Sequence, residues 1–213
     1  MMQIIYCYDA YCGWCYGFSP VMKKLFDTYK SVLHFEVLSG GMIRPDTPRH
    51  ISATAGHIAK TYKQIEELTG VTFGQDYLWH IKNPDESDWY PDSLKPAVAL
   101  SIFKEIYPSL QVPFAHDLQL ALHSEGRDLC DNEAYRHLLG KYHIDVDDFY
   151  TKLASTEFQE KAAYEFALVK QLQVTGFPAL LMQESESKFY LVSRGYTDFD
   201  RLNNIVRSLL ETK

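Results

Sequence analysis

Two cysteines held two residues apart, Cys12-Gly13-Trp14-Cys15, carry the most reactive chemistry open to this chain. A thiol attacks a disulfide only as its thiolate, and an isolated cysteine, with a pKa of about 8.5, is mostly protonated near neutral pH. Something must stabilise the anion. A place at the amino end of a helix would do so, because free backbone N–H groups and the positive end of the helix dipole then point at the Cys12 sulfur. Cys15, one turn further on, is placed to close a short disulfide loop and is expected to be the more buried of the two. Cys12 would attack, and Cys15 would resolve the mixed disulfide. Zinc is the rival use of such a pair. No second C-x-x-C exists to complete four ligands, and Cys7 and Cys130 stand alone, so no metal is expected.

The elements around the pair favour the redox use. Met2 to Asp9 alternates and is rich in Ile and Tyr, which predicts a strand ending just before Cys12. Phe18, Met22, Leu25 and Tyr29 then recur at helical spacing with charges between them, predicting an amphipathic helix, with Pro20 as a kink. Leu33 to Leu38 reads as a second strand, so the opening forms a β-α-β unit with a parallel pair. From about Pro45 to Leu172 helical periodicity dominates, in five to seven helices. Ser93 to Ile106 is the clearest, with Leu94, Ala97, Val98, Ser101, Ile102 and Ile106 on one side. Pro178 to Met182 and Phe189 to Val192 predict a hairpin, and a last helix follows with Thr197 as its N-cap. That order is an α/β fold: a thioredoxin-like core over 1–44 and 173–213, interrupted by an all-helical insertion over 45–172 that packs on it as a cap.

Composition narrows the function. The 213 residues are 46% hydrophobic and 23% charged, which suits a globular protein. The formal charge of −7 argues against a nucleic-acid binder, and no segment is long and apolar enough for a membrane span. The start lacks the basic and apolar regions of a secretory signal, and four cysteines are too few to staple a chain this size, so the expected location is the cytoplasm.

A second motif lies far downstream: Val174-Thr175-Gly176-Phe177-Pro178. Because roughly 5–6% of X-Pro bonds in folded proteins are cis, the residues alone read as trans. Together with Asp9-Ala10-Tyr11-Cys12-Gly13-Trp14-Cys15-Tyr16-Gly17-Phe18, however, this motif resembles the paired signatures of DsbA-like thioredoxin-fold oxidoreductases, most closely the FrnE-type cytoplasmic branch with its large insertion. The resemblance implies Cys12 as nucleophile, Cys15 as resolving thiol, and Pro178 as a cis-proline facing them. It also implies that the backbone at Phe177 accepts an extended substrate by strand addition, with Trp14 beside it. It departs from the secreted oxidant DsbA in carrying Gly13-Trp14 where that protein has Pro-His, which implies a less oxidising pair. The family's buried carboxylate six residues before the nucleophile is Tyr6 here, leaving Asp9 or another group to move protons; Gly13 and Asp9 are the expected tuning residues.

Other residues have plainer readings. Cys7 is expected to be a buried hydrophobe and Cys130 a helix-entry residue. His50 with His57 and His116 with His123 fall on shared helix faces as surface or core histidines. Tyr77, Trp79, Trp89 and Tyr90 read as core, with a cleft lining as the alternative. The leading function is dithiol-disulfide exchange, as reductase or isomerase, on a protein or small-molecule disulfide. It needs no cofactor beyond the dithiol, a recycling reductase as partner, and glutathione as a candidate reductant. The alternatives are a kappa-type glutathione transferase or isomerase, which the intact pair argues against, and a redox-switched adaptor or chaperone.

Overall fold

In a computed structural model, residues 2–44 and 49–211 are described. Pro45, the expected start of the helical block, lies outside them. Four strands form one sheet: β1 (Gln3–Tyr8), β2 (His34–Ser39), β3 (Ala179–Ser185) and β4 (Lys188–Arg194), in the order β2-β1-β3-β4. β1 and β2 run parallel, with Cys7 opposite Leu38; β1 pairs antiparallel with β3, and β3 with β4. The alternation in β1 sends Ile4, Tyr6 and Tyr8 to one face and Ile5 and Cys7 to the other, and all are buried. The hairpin strands run longer than their apolar runs suggest, through most of the polar stretch Gln183 to Lys188, leaving only Glu186 and Ser187 in the turn.

Helix α1 (Gly13–Tyr29) continues through Pro20. The missing proline N–H frees the carbonyl four residues back, that of Tyr16. Ser19 fills the gap: its hydroxyl donates to the Tyr16 carbonyl at 2.9 Å and also meets His116 Nδ1 at 2.8 Å. Between β2 and β3 lie α2 (Ser52–Thr69), α3 (Gln75–Lys82), α4 (Leu94–Ile106), α5 (Gln111–His123), α6 (Glu133–Lys141), α7 (Val146–Leu153) and α8 (Thr156–Gln171). They share the main apolar cluster with β1 and α1. The one-sided stripe expected for α4 is wrong: Pro96 to Phe103 are buried without a break, because the helix is the centre of the block, and Ile106 is exposed.

The chain closes with α9 (Phe199–Glu211), which returns Leu202 and Val206 to the core. Thr197 is not its cap. Asp198 is: its Oδ1 accepts the Arg201 N–H at 3.0 Å and its carbonyl that of Leu202, while the Thr197 hydroxyl is turned to Ser193 at 2.7 Å. A carboxylate is the stronger acceptor and suits the positive end of a helix. None of the helices is long and apolar enough to cross a membrane among the described residues.

Candidate active site

β1 carries the chain to the end of the sheet, and a turn through Asp9 to Tyr11 hands it to α1. Cys12 caps that helix. Its backbone is extended (φ −81°, ψ 108°) and its Sγ accepts the Cys15 N–H at 3.2 Å. Sulfur thus stands where the oxygen of a capping serine or aspartate would. Cys15 is fully buried against 6% exposure for Cys12, and neither is in a disulfide. Burial first, and the hydrogen bond and charge of Cys12 second, hold the Cys15 thiol well above the ordinary range. The two sulfurs are therefore unequal: that of Cys12 accepts a backbone N–H and lines a cavity, while that of Cys15 has no access to solvent.

Asp9 is buried beneath this turn. Its Oδ1 accepts the Tyr11 N–H at 3.0 Å and the Ser93 hydroxyl at 2.9 Å, and its Oδ2 accepts the Met42 N–H at 2.7 Å. Burial raises its pKa against the pull of those donors. The carboxylate ties the Cys12 loop to the end of β2 and to the residue before α4. From the helical side, Gln119 Nε2 reaches the Asp9 carbonyl at 2.7 Å and His123 Nε2 donates to the Ala10 carbonyl at 3.1 Å. Nothing in the sequence pattern marked Met42, Ser93 or Gln119 as supports, since each acts across more than thirty residues of chain. Tyr6 is buried, and its hydroxyl has no hydrogen-bond partner among the described residues.

The Phe177–Pro178 peptide bond is cis. The Phe177 carbonyl lies 3.7 Å from Cys12 Sγ, and Pro178 is buried with its own carbonyl accepting the Gly195 N–H at 2.8 Å. Gly40, at the end of β2, makes room for the Phe177 ring: a Cβ there would stand 2.1 Å from it. Gly13 serves approach as well, since a Cβ on it would meet Ile65 Cδ1 at 3.0 Å, so its smallness seats α2 against the start of α1. Trp14 is half-buried, and with Cys12, Gly13 and Phe177 it lines a cavity of about 370 Å³ whose other walls come from α2, Phe73 and Trp89. A larger groove, about 780 Å³, lies against Ile5, Leu38, Lys104 and Glu165 on the opposite face of the sheet and touches neither Cys12 nor Cys15.

The aromatic stretch divides: Tyr77 and Trp89 are buried and line the cavity by Cys12, whereas Trp79 and Tyr90 are exposed. Cys7 faces away from the pair, and burial, reinforced by Glu165, pushes its thiol up to about 12. Cys130 lies in the turn before α6, where its Sγ and the Tyr11 hydroxyl meet at 3.3 Å. His123 is enclosed, stacked on Tyr16 at 5.0 Å between ring centroids, and burial lowers its pKa to about 3. Among the described residues no group of three His, Cys, Asp or Glu side chains is placed to hold a metal ion.

Known structures share the whole architecture. A candidate protein disulfide isomerase from Nitrosomonas europaea superposes with a TM-score of 0.85 at 23% identity, covering 99% of this chain and 98% of its own. The cytosolic disulfide reductase DsbM from Pseudomonas aeruginosa follows at 0.74 and 22%, covering 99% and 100%. A 2-hydroxychromene-2-carboxylate isomerase gives 0.65 at 12%, covering 99% and 95%. At these identities the likeness is one of fold. No curated protein sequence matches the chain. The family model for the DSBA-like thioredoxin domain matches residues 3–207, and the chain belongs to that family.

Proposed function

We propose that this protein is a thiol-disulfide oxidoreductase that reduces or isomerises disulfides through Cys12 and Cys15. The observation that carries the reading is the cap itself: a Cys12 sulfur accepting the Cys15 N–H at 3.2 Å at the start of a 17-residue helix, with the second thiol buried one turn behind. The Cys12 thiolate attacks a substrate disulfide, forming a mixed disulfide and releasing one substrate thiolate. Cys15 gives up its proton and attacks the Cys12 sulfur, releasing the second substrate thiol and closing Cys12–Cys15. Two electrons have then passed to the substrate. A recycling reductase, or glutathione, returns them.

Phe177 and Pro178 hold the substrate backbone across from Cys12, with Trp14 as the neighbouring wall. The high-lying Cys15 thiol holds little thiolate, which slows its attack on the mixed disulfide and gives the substrate time to isomerise before release. The cytoplasm is the proposed location, a reading supported by the likeness in fold to the cytosolic disulfide reductase DsbM. A trapping experiment tests the reading. Cys15→Ser should accumulate a mixed disulfide on Cys12 when mixed with a disulfide-bonded protein, and Cys12→Ser should accumulate none. Equal trapping by both variants would remove the assigned roles.

A further inference from the structure

The larger groove, on the sheet face away from Cys12, has an apolar floor and an acidic rim. Ile5 and Leu38 of the sheet, Phe189 of β4, and Leu168 and Leu172 at the end of α8 supply the floor. Six glutamates line the groove against two lysines, and both lysines are engaged. Lys104 is shared by Glu36 and Glu165, and Lys161 by Glu105 and Glu157. Glu160 on α8 and Glu186 in the hairpin turn are exposed and have no ion pair among the described residues, so each bank keeps an uncompensated negative charge. Two other lining side chains lack partners. Ser101 on α4 is 5% exposed, and its Oγ has no hydrogen-bond partner among the described residues, a state that buried hydroxyls rarely keep. Tyr164 stands on the α8 bank with 67% of its surface exposed, an aromatic face open to a cation.

A small ammonium ion would answer the rim and leave the floor wet, and a neutral apolar chain would do the reverse. The groove's length selects further. Its lining on α8 runs from Glu157 to Leu168, about 17 Å at the helical rise, which matches about five residues of extended chain. Extended chain also sends alternate side chains to opposite faces. We propose that this groove docks an extended segment of a partner protein in which Lys or Arg alternates with aliphatic residues. The aliphatic side chains lie on the floor, the cations reach Glu160, Glu186 and the Tyr164 ring, and the Ser101 hydroxyl donates to a carbonyl of the segment. Because the groove touches neither Cys12 nor Cys15, a docked partner leaves the dithiol open.

Fluorescence anisotropy of a labelled Lys-Leu-Lys-Leu-Lys peptide, titrated with the full chain, tests this. The peptide should bind at one site, and Glu-Leu-Glu-Leu-Glu should not bind. Glu160→Lys together with Glu186→Lys should weaken binding about tenfold or more, since two attractions become repulsions. Glu67→Lys together with Glu86→Lys makes the same change of charge at exposed positions outside the groove and should leave binding within about twofold. Tyr164→Ala should weaken it about two- to fivefold, and Ser101→Ala about fivefold with no fall in melting temperature, because that hydroxyl has no partner within the fold to lose. Saturating peptide should leave the alkylation rate of Cys12 unchanged. Equal weakening by the two double variants would reduce the binding to general attraction for an acidic protein and overturn the proposal, as would a peptide that protects Cys12. Spermine displacing the peptide at equal affinity would overturn the assignment to polypeptide, and a dimer of the chain that the peptide dissociates would give the groove to a second copy instead.

Discussion

Cys7 and Cys12 are five residues apart in sequence and lie in opposite chemical worlds. Cys7 sits inside β1, packed with Ile5, Leu38 and Leu181 on one face of the sheet, with its thiol pushed up to about 12. Behind that face lies a half-sunken ion cluster. Lys104 on α4 pairs with Glu165 on α8 at 2.6 Å and Glu36 on β2 at 2.9 Å, and Glu165 accepts the Ser39 N–H at 3.0 Å. Cys12 has left the strand for a helix cap, where a backbone N–H meets the sulfur and a cavity opens beside it. Both residues are buried, so burial does not separate them. What separates them is the presence of a donor and of a path for a second sulfur to approach.

The largest effect should come from testing the two cysteines directly. Cys12→Ser should lower disulfide reduction on the order of 10³-fold or more, as removal of a nucleophile does, while Cys7→Ala should stay within about twofold in the same insulin-reduction assay. A comparable loss from Cys7→Ala would erase the contrast. Next, Lys104→Met leaves Glu165 buried without its countercharge and should destabilise the fold by about 3–5 kcal/mol in urea denaturation. The alkylation rate of Cys12 in the folded variant should stay unchanged, because the cluster lies on the other face.

Acid should loosen the dithiol face through His123. Folded, its pKa is depressed to about 3 by burial; unfolded, it returns to the ordinary value near 6.5. Below about pH 6.5 the unfolded chain binds a proton that the folded one refuses. The stability held above that pH is then lost as pH falls, by at most about 1.4 kcal/mol per unit. A stability profile across pH 4–7 should show this slope, and His123→Phe should flatten it. The smallest effect belongs to Ser19→Ala, which strips the donor from the carbonyl that Pro20 leaves free and should cost about 1–2 kcal/mol in thermal unfolding, with Pro20→Ala restoring part of it by returning an N–H.

Much of this was legible in the residues because it depends on short-range pattern. Alternation located β1, short apolar runs about a polar turn located the hairpin, and three-to-four spacing located α1; strand and helix together put the cysteine pair at a strand-to-helix junction. Long-range support left fainter marks. The uninterrupted burial of α4 defeats a one-face reading, since a helix surrounded by helices has no solvent side to reveal its period. The ion cluster did leave a trace: Glu165 falls in the apolar stripe of α8 with Phe158, Ala162, Phe166 and Val169, a buried charge in need of a partner. Asp9 was legible as important but not as a brace, because its donors at Met42 and Ser93 come from distant loops. The cavity, too, joins segments that only the folded chain brings together.

The central claim is that Cys12 and Cys15, alone among the four cysteines, form one exchanging couple. Equilibration across a series of glutathione redox buffers, followed by alkylation and mass mapping of each cysteine, tests it most directly. The account predicts that Cys12 and Cys15 titrate together as a single two-electron couple, changing tenfold in ratio for about 30 mV, while Cys7 and Cys130 stay thiols throughout. A pair that never closes, or a Cys12 that closes on Cys130 beside Tyr11 instead, would contradict it.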